Sequence, residues 1–189
     1  MTANPITEKY HPSDPIAGLP GMNRVHDENE DGPHTNYLAM LGRRVNFNSA
    51  RGEHSGIAML VIVPDDTEVG DWLVMEGDNF TAAKADGTQL GRVGVSMASV
   101  NPDYNDITKP LFGWIMIEGR MAAKMEAGVV EGDMLTLDPG FTPGQVGTGG
   151  AQALPAKAMS DVGPLIENVS VPDNIPEYPE GYGEIYLVT

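Results

Sequence analysis

An acidic run near the N-terminus has the spacing of half a calcium-binding loop. Asp27, Asn29 and Asp31 alternate with other residues and Gly32 follows, which matches the pattern D-x-N-x-D-G. Alternating oxygen-bearing side chains can converge on one cation, and Gly permits the sharp turn that this requires. The position where such a loop needs a bidentate Glu is occupied by Leu38. The sequence therefore favours an acidic solvated turn, and it leaves open whether Asp27, Asn29 and Asp31 bind a cation.

The four histidines give no constellation for catalysis or for metal binding. His11, His26, His34 and His54 all lie in the first 54 residues, on predicted arm or loop segments. His26 and His34, which flank the acidic run, are expected to face solvent. A nucleophilic triad needs a base beside a Ser or Thr held in a defined turn, and the chain has no Gly-x-Ser-x-Gly. There is no cysteine, which removes thiolate nucleophiles, thiolate metal sites and disulfides. We predict no catalytic, cofactor-binding or metal-binding residue, and no enzymatic activity.

Carboxylate pairs could act as a general acid and a general base. With 27 acidic residues, accidental pairs are certain and carry little information. Glu118 and Glu126 are the candidates that lie nearest to the most apolar part of the chain. They remain a minor alternative.

Residues 123–133, with the sequence AKMEAGVVEGD, resemble pieces of the biotinyl/lipoyl carrier family. In that family a Lys-Met turn presents the lysine that is modified, and a Val-x-x-Gly-Asp corner recurs nearby. There the two pieces belong to opposite ends of the domain and are separated by at least one strand, whereas here they are adjacent. The resemblance implies Lys124 as a modified lysine, which we keep as a less favoured alternative.

Composition and charge limit the partners that the chain can have. The net charge is -16, from 11 basic and 27 acidic residues, so direct binding to nucleic acid phosphates is not expected. No apolar run approaches the ~18 residues of a membrane span, and the first 15 residues lack a secretory signal. We expect a protein made in the cytoplasm, with neither a nucleic acid nor a membrane as a partner.

The distribution of turn residues predicts an all-β protein. Gly and Pro number 23 and 15, which suits short strands and many turns. Residues 1–35 are interrupted by prolines and form a predicted extended arm, and residues 36–189 form a β-rich core domain. Residues 57–63 are apolar throughout and predict a strand buried on both faces. In all, we predict a sandwich or barrel of about nine or ten short strands.

The densest apolar stretch, residues 110–138, predicts the centre of that domain. Its two alternating runs predict a hairpin of two strands joined by a short connection, with one possible short helix at residues 121–127. The residues predicted to be core are Trp114, Ile115, Ile117, Val130 and Leu135.

Two short segments of the chain echo each other. Residues 69–73 and 131–135 share a Gly-Asp-x-Leu core that follows an acidic residue. Gly supplies the unusual backbone angle of a turn, and Asp can accept a hydrogen bond from the turn backbone. Both segments are therefore predicted to be the corner that returns a strand to the core. The match is too short to establish duplication, and convergent turn chemistry is the favoured explanation.

The order of three segments is similar to that in the head decoration (cement) proteins of tailed bacteriophages. The segments are residues 91–98, with a Val-Gly-Val strand; residues 113–119, a strand that ends in Gly; and residues 127–135, an Ala-Gly corner followed by Gly-Asp. The similarity covers roughly residues 65–160. Each motif is short, and their order carries the resemblance.

This resemblance implies a structural protein on the outer surface of the phage head. Members of that family are β-rich trimers that bridge major capsid subunits, so we expect the major capsid protein and further copies of this chain as partners. The family brings no catalytic residue and no cofactor. The alternative is another phage part with a similar β fold, such as a head-fibre base, a tail protein or a baseplate protein.

Overall fold

The computed structural model describes residues 10–12, 22, 25–27, 36–49, 54–77, 79–100, 109–163 and 180–188. Asn29, Asp31 and His34 lie outside this part of the chain. The described part contains one short helix, α1 (Tyr37–Met40), and ten strands. The strands are β1 (Tyr10–Pro12), β2 (Arg44–Ser49), β3 (Ser55–Val63), β4 (Trp72–Met75), β5 (Ala82–Lys84), β6 (Arg92–Ser96), β7 (Leu111–Lys124), β8 (Met134–Leu137), β9 (Gln152–Ala158) and β10 (Tyr182–Leu187).

The ten strands form one sheet in which every strand pair is antiparallel. The main order is β1-β2-β3-β7-β10-β9-β8, and β6, β4 and β5 branch from β7. The prediction of an all-β fold with about nine or ten strands is confirmed. The predicted strand at residues 57–63 is also confirmed as β3, whose alternate side chains enter two different hydrophobic clusters.

β7 is the centre of the sheet, but the hairpin predicted at residues 110–138 is wrong. β7 pairs with β3 along one edge and with β6 and then β10 along the other, while β8 pairs with β9. The helix predicted at residues 121–127 is also wrong, because most of that segment continues β7 and hydrogen-bonds to β10. Tertiary pairing thus overrides the helix propensity of Met and Ala.

One residue that was predicted to be core lies at the surface. Trp114, Ile115, Ile117 and Leu135 are buried, as predicted. Val130 is instead 50% exposed, because it occupies the outer side of the turn that precedes β8. An alternating apolar pattern predicts which residues of a strand are buried, but it does not predict the burial of a residue in the adjoining turn.

The sheet is built from a four-stranded unit that occurs twice, and β7 belongs to both copies. The first repeat comprises β3, β4, β6 and the first half of β7, in the spatial order β3-β7-β6-β4. The second repeat comprises the second half of β7, β8, β9 and β10, in the spatial order β7-β10-β9-β8. The register between β3 and β7 shifts near the junction within β7, because Ile57 and Ala58 oppose Glu118 and Met116 and leave Ile117 as the extra residue on β7. At the junction, Gly119 has a φ of 122°.

Four backbone hydrogen bonds recur in the two repeats at matching positions. In the first repeat they join Gly70 N to Ser96 O, Ser96 N to Asp71 O, Met97 N to Trp114 O, and Val100 N to Thr67 O. In the second they join Gly132 N to Ala158 O, Ala158 N to Asp133 O, Met159 N to Glu184 O, and Val162 N to Val129 O. Equivalent residues are 62 apart in the chain, and 70 apart in the last strand of each unit. The Gly-Asp echo in the sequence thus marks a repeated fold unit.

The two repeats pack with opposite faces of the sheet in contact. Trp72, Val95, Met116 and Ala58 line one face of the first repeat and are fully buried. They share a hydrophobic cluster with residues on the other face of the second repeat, namely Met121, Leu135, Ala156, Ala158, Ile185 and Leu187. This arrangement leaves one face of the second repeat directed outward.

Parts of the predicted arm pack against the core domain. The backbone of His26 exchanges two hydrogen bonds of 2.8 Å with Phe112 at the start of β7. The His26 ring stacks on Tyr37, which stacks on Phe112, and Met22 is fully buried in the same cluster. The expectation that His26 faces solvent is therefore wrong, because pairing with β7 holds it under Tyr37.

Candidate interaction surface

The two candidate carboxylates hold structural positions. Glu126 follows β7 and accepts a hydrogen bond of 2.6 Å from the backbone N–H of Thr142, which ties the loop after β8 to the end of β7. Glu118 lies opposite Ile57 in the pairing of β3 with β7. Both side chains are half-buried. The carboxylate of Glu126 therefore serves to anchor a loop.

His54 is buried immediately before β3. Burial, together with the positive charge of Arg120, lowers the pKa of His54 to about 4. Arg120 itself forms an ion pair with Glu184 on the adjacent strand β10, at 2.6 Å from Nη2 to Oε1. The buried imidazole of His54 is therefore neutral at pH 7, and the stability of the folded protein should decrease in acid that protonates this side chain.

A charged corner lies where β4 begins and β7 ends. The carboxylate of Asp71 is 1% exposed, and two lysines contact it: Lys124 Nζ at 2.7 Å from Oδ1 and Lys84 Nζ at 3.1 Å from Oδ2. Oδ2 also accepts a hydrogen bond of 2.8 Å from the backbone N–H of Glu68. The Glu68 carboxylate in turn contacts Lys124 Nζ. A buried charge is tolerated when it is paired and hydrogen-bonded in this way.

The pKa shifts in this corner favour charged Lys124 and Glu68 and a neutral Tyr182. Burial would lower the pKa of Lys124, but hydrogen bonds to Asp71 and Glu68 and the charge of Asp71 outweigh burial and leave this pKa raised. The hydrogen bond and the charge of Lys124 lower the pKa of Glu68. Burial raises the pKa of Tyr182, whose hydroxyl donates to the carbonyl of Val69. The corner is thus a set of ion pairs that fastens β4 to β7.

The position of Lys124 differs from that of a modified lysine in a carrier protein. A carrier protein presents its modified lysine on a protruding turn, but Lys124 lies in the last position of β7. Its side chain is 13% exposed and is engaged by two carboxylates. The lysine is therefore placed to hold the corner together.

The outward face of the second repeat carries a row of exposed side chains across four strands. Met134, Lys157, Tyr186 and Arg120 are consecutive partners across β8, β9, β10 and β7. Met134 is 62% exposed, Tyr186 is 42% exposed, and the side chain of Arg120 is 46% exposed. We call these four residues the cationic row.

Further exposed apolar residues adjoin the cationic row. Val188 is 48% exposed, and its backbone N–H donates to the carbonyl of Pro155 on β9. Val130 is 50% exposed in the turn that precedes Met134. Tyr, Met and Arg are enriched at protein–protein interfaces. The face therefore has the composition of a contact surface.

The cationic row has a buried counterpart in the first repeat. Trp72, Val95, Met116 and Ala58 are partners in the same register, and they occupy the positions equivalent to Met134, Lys157, Tyr186 and Arg120. Sequence reasoning missed the row because its members are far apart in the chain. The Gly-Asp echo is the signal that could have found it, since its spacing of 62 residues aligns Met134, Lys157 and Arg120 with their buried counterparts. Tyr186 is 70 residues from its counterpart and would not have been aligned.

Among the described residues there is no helix long and apolar enough to cross a membrane. In the same part of the chain, no group of three or more His, Asp or Glu side chains is arranged to hold a metal ion. No protein-family model, curated protein or solved structure matches this chain.

Proposed function

We propose that this protein is a structural component of a phage virion that decorates the outer surface of the assembled head. In this proposal it acts as a homotrimer and stabilises the shell by bridging major capsid subunits. The observation that carries the proposal is the exposed face around the cationic row, because it has the composition of a subunit contact. The order of the three sequence motifs, which is similar to that in head decoration proteins, is the reason for choosing a phage head as the assembly.

The placement of those three motifs supports the proposal. Residues 91–98 contain β6, residues 113–119 lie in β7, and residues 127–135 contain the corner before β8 and the first two residues of β8. The three segments therefore form successive parts of one antiparallel sheet. Candidate chemical residues, by contrast, are engaged in structural contacts: Lys124 with Asp71, and Glu126 with the backbone of Thr142.

The charge of the chain also suits this role. A net charge of -16 repels packaged nucleic acid and complements basic patches on a shell. An electrostatic contact of this kind weakens as salt screens the exposed charges. We therefore expect binding to heads to decrease with increasing ionic strength.

The test is to add the purified protein to assembled heads that lack it and to measure cosedimentation. Under this proposal the heads are those of the phage whose genome encodes this chain, assembled from its major capsid protein alone. We expect saturable binding and additional density on the outer surface in cryo-electron microscopy. A protein that leaves these heads bare at every concentration would refute head decoration. In complete virions, density for the protein on a tail or baseplate would support the alternative virion location.

A further inference from the structure

We propose that Lys124 and Asp71 become joined by an isopeptide bond between Nζ of the lysine and Cγ of the aspartate. Each chain makes this modification once, on itself, inside the charged corner. The structure holds the two side chains as an ion pair, with Nζ 2.7 Å from Oδ1, and this pair is the state from which the bond forms. The inference is independent of the proposed function, because the isolated chain contains every group that the reaction needs.

The two reacting side chains are held in contact and sheltered from solvent. Lys124 is the last residue of β7, and its side chain is 13% exposed. Asp71 immediately precedes β4, and its side chain is 1% exposed. Holding the reacting groups together removes most of the entropic cost of bringing an amine to a carboxyl group. Bond formation also replaces two buried charges with a neutral amide, so it removes the cost of keeping those charges out of water.

The other groups of the corner match what the reaction needs at each oxygen of Asp71. Oδ2 accepts a hydrogen bond of 2.8 Å from the backbone N–H of Glu68 and lies 3.1 Å from Nζ of Lys84. These two donors are placed to stabilise the negative charge on Oδ2 when Nζ of Lys124 attacks Cγ. Oδ1 lies on the side of Lys124 and is the oxygen that leaves. The Glu68 carboxylate contacts Nζ of Lys124 and is the proton acceptor.

The reaction balances without a further reactant. The Lys124 ammonium passes one proton to the Glu68 carboxylate, and the free amine then attacks Cγ of Asp71. In the resulting intermediate Oδ1 receives the proton from Glu68 and a second proton from the attacking nitrogen. The Cγ–Oδ1 bond breaks, Oδ1 leaves as water, and Oδ2 becomes the carbonyl oxygen of the amide. Glu68 returns to its starting state.

The matching turn of the second repeat shows that the backbone of the corner does not require these groups. Asp133 closes that turn with the same two hydrogen bonds to Val130. Val130 stands where the first repeat has Glu68, so the proton acceptor is missing there. Glu68 and Lys124 are therefore additions to a turn that forms without them, and both contact the site of the proposed bond.

The bond would close the segment from residue 71 to residue 124, which contains β4, β5, β6 and the whole of β7. A cross-link of this kind restricts the unfolded chain and so stabilises the folded one. Its contribution adds to that of the ion pairs. Because β7 belongs to both repeats, the bond fastens the first repeat to the strand that the second repeat shares.

The first experiment measures the intact mass of the purified wild-type chain under denaturing conditions. We expect a mass that is lower than that of the sequence by one water molecule. Trypsin should then release a branched peptide in which residues 52–84 are joined to residues 121–157, because a modified Lys124 is not cleaved. A mass equal to that of the sequence would overturn the inference, and so would a loss of water that maps to Lys84 or to any other site.

A lysine substitution then separates the bond from the ion pair. Lys124→Arg keeps the positive charge, but a guanidinium is not deprotonated in proteins and cannot act as the nucleophile. This variant should have the full mass of its sequence, with far-UV circular dichroism confirming that it folds. Lys157→Arg is the matched control, because Lys157 is exposed on β9, and it should keep the loss of one water. A Lys124→Arg chain that also lacks one water would refute the assignment.

A Glu68→Gln variant tests the proton acceptor. Gln retains a polar side chain of similar size but cannot take the proton from Lys124, so the bond should form about a hundredfold more slowly or less readily still. Intact mass followed over time gives the fraction of linked chain. We expect unlinked chain to predominate in the freshly purified variant and the wild type to be linked throughout. Equal linkage of the two proteins at every time point would exclude Glu68 from the reaction.

Discussion

Asp71 and Asp133 close the same turn in the two repeats. In each turn the Asp Oδ2 accepts the backbone N–H of the residue three positions earlier, Glu68 at 2.8 Å and Val130 at 3.0 Å. In each turn the Asp N–H also donates to the carbonyl of that same residue, at 3.1 Å. Only Asp71 additionally contacts two lysines. The same local turn thus serves as a plain corner in one repeat and as a charged anchor in the other.

An Asp→Ala substitution should lower the unfolding free energy by different amounts at the two corners. Asp71→Ala removes the turn hydrogen bond and leaves Lys124 and Lys84 facing each other, so we expect a loss of about 3 kcal/mol of unfolding free energy. Asp133→Ala is the matched control and should cost about 1 kcal/mol, the value of one hydrogen bond. Urea unfolding at pH 7 measures both. Equal losses for the two variants would show that the lysine contacts of Asp71 add nothing.

Matched positions of the two repeats also predict different packing costs. Trp72→Ala removes a fully buried indole and should lower the unfolding free energy by about 3–5 kcal/mol. Met134→Ala, at the equivalent but exposed position, should change it by about 0.5 kcal/mol or less. Both values come from chemical denaturation of dilute protein, where oligomers are dissociated. A large loss for Met134→Ala under those conditions would contradict the outward orientation of that face.

His54 predicts a loss of stability in mild acid. Its pKa is about 4 in the folded protein and near 6.5 when unfolded. Between these values the unfolded chain binds a proton that the folded chain does not, so stability falls as the pH falls through this window. The full shift corresponds to roughly 3 kcal/mol.

The measurement compares unfolding free energies at pH 7 and pH 5 for the wild type and for His54→Gln. The variant should lose less stability than the wild type over this interval, because Gln does not titrate. Glu68 also has a lowered pKa, but its contribution is lost mainly below the ordinary range of a Glu carboxyl. An identical pH dependence in the two proteins would exclude His54 as the source.

The sequence predicted the strands better than it predicted their partners. The apolar run at residues 57–63 marked β3, because period-2 and continuous apolar patterns report local burial. The same patterns at residues 110–138 marked β7 and β8 but suggested that they pair with each other. Pairing depends on contacts distant in the chain, and the actual partner of β8 is β9.

The candidate surface was less accessible to sequence reasoning than the fold. The Gly-Asp echo was visible, but few residues are shared between the repeats, because equivalent positions face a core in one and solvent in the other. Val95 and Lys157 illustrate this difference: they are equivalent in register, yet one is buried and the other exposed. Such a pair aligns by structure and not by residue type.

Gly119, at the junction within β7, has no room for a side chain. Gly119 has a φ of 122°, and a Cβ there would lie 2.1 Å from the backbone oxygen of Ser55. Gly119→Ala must therefore displace β3 from β7, and we expect a loss of at least about 3 kcal/mol of unfolding free energy. Gly128→Ala is the control, because Gly128 also has a positive φ but has no atom within 4 Å of the added Cβ. It should cost about 1 kcal/mol, the strain of the left-handed backbone alone. Thermal unfolding of both variants gives the comparison, and similar melting temperatures would show that β3 can shift without penalty.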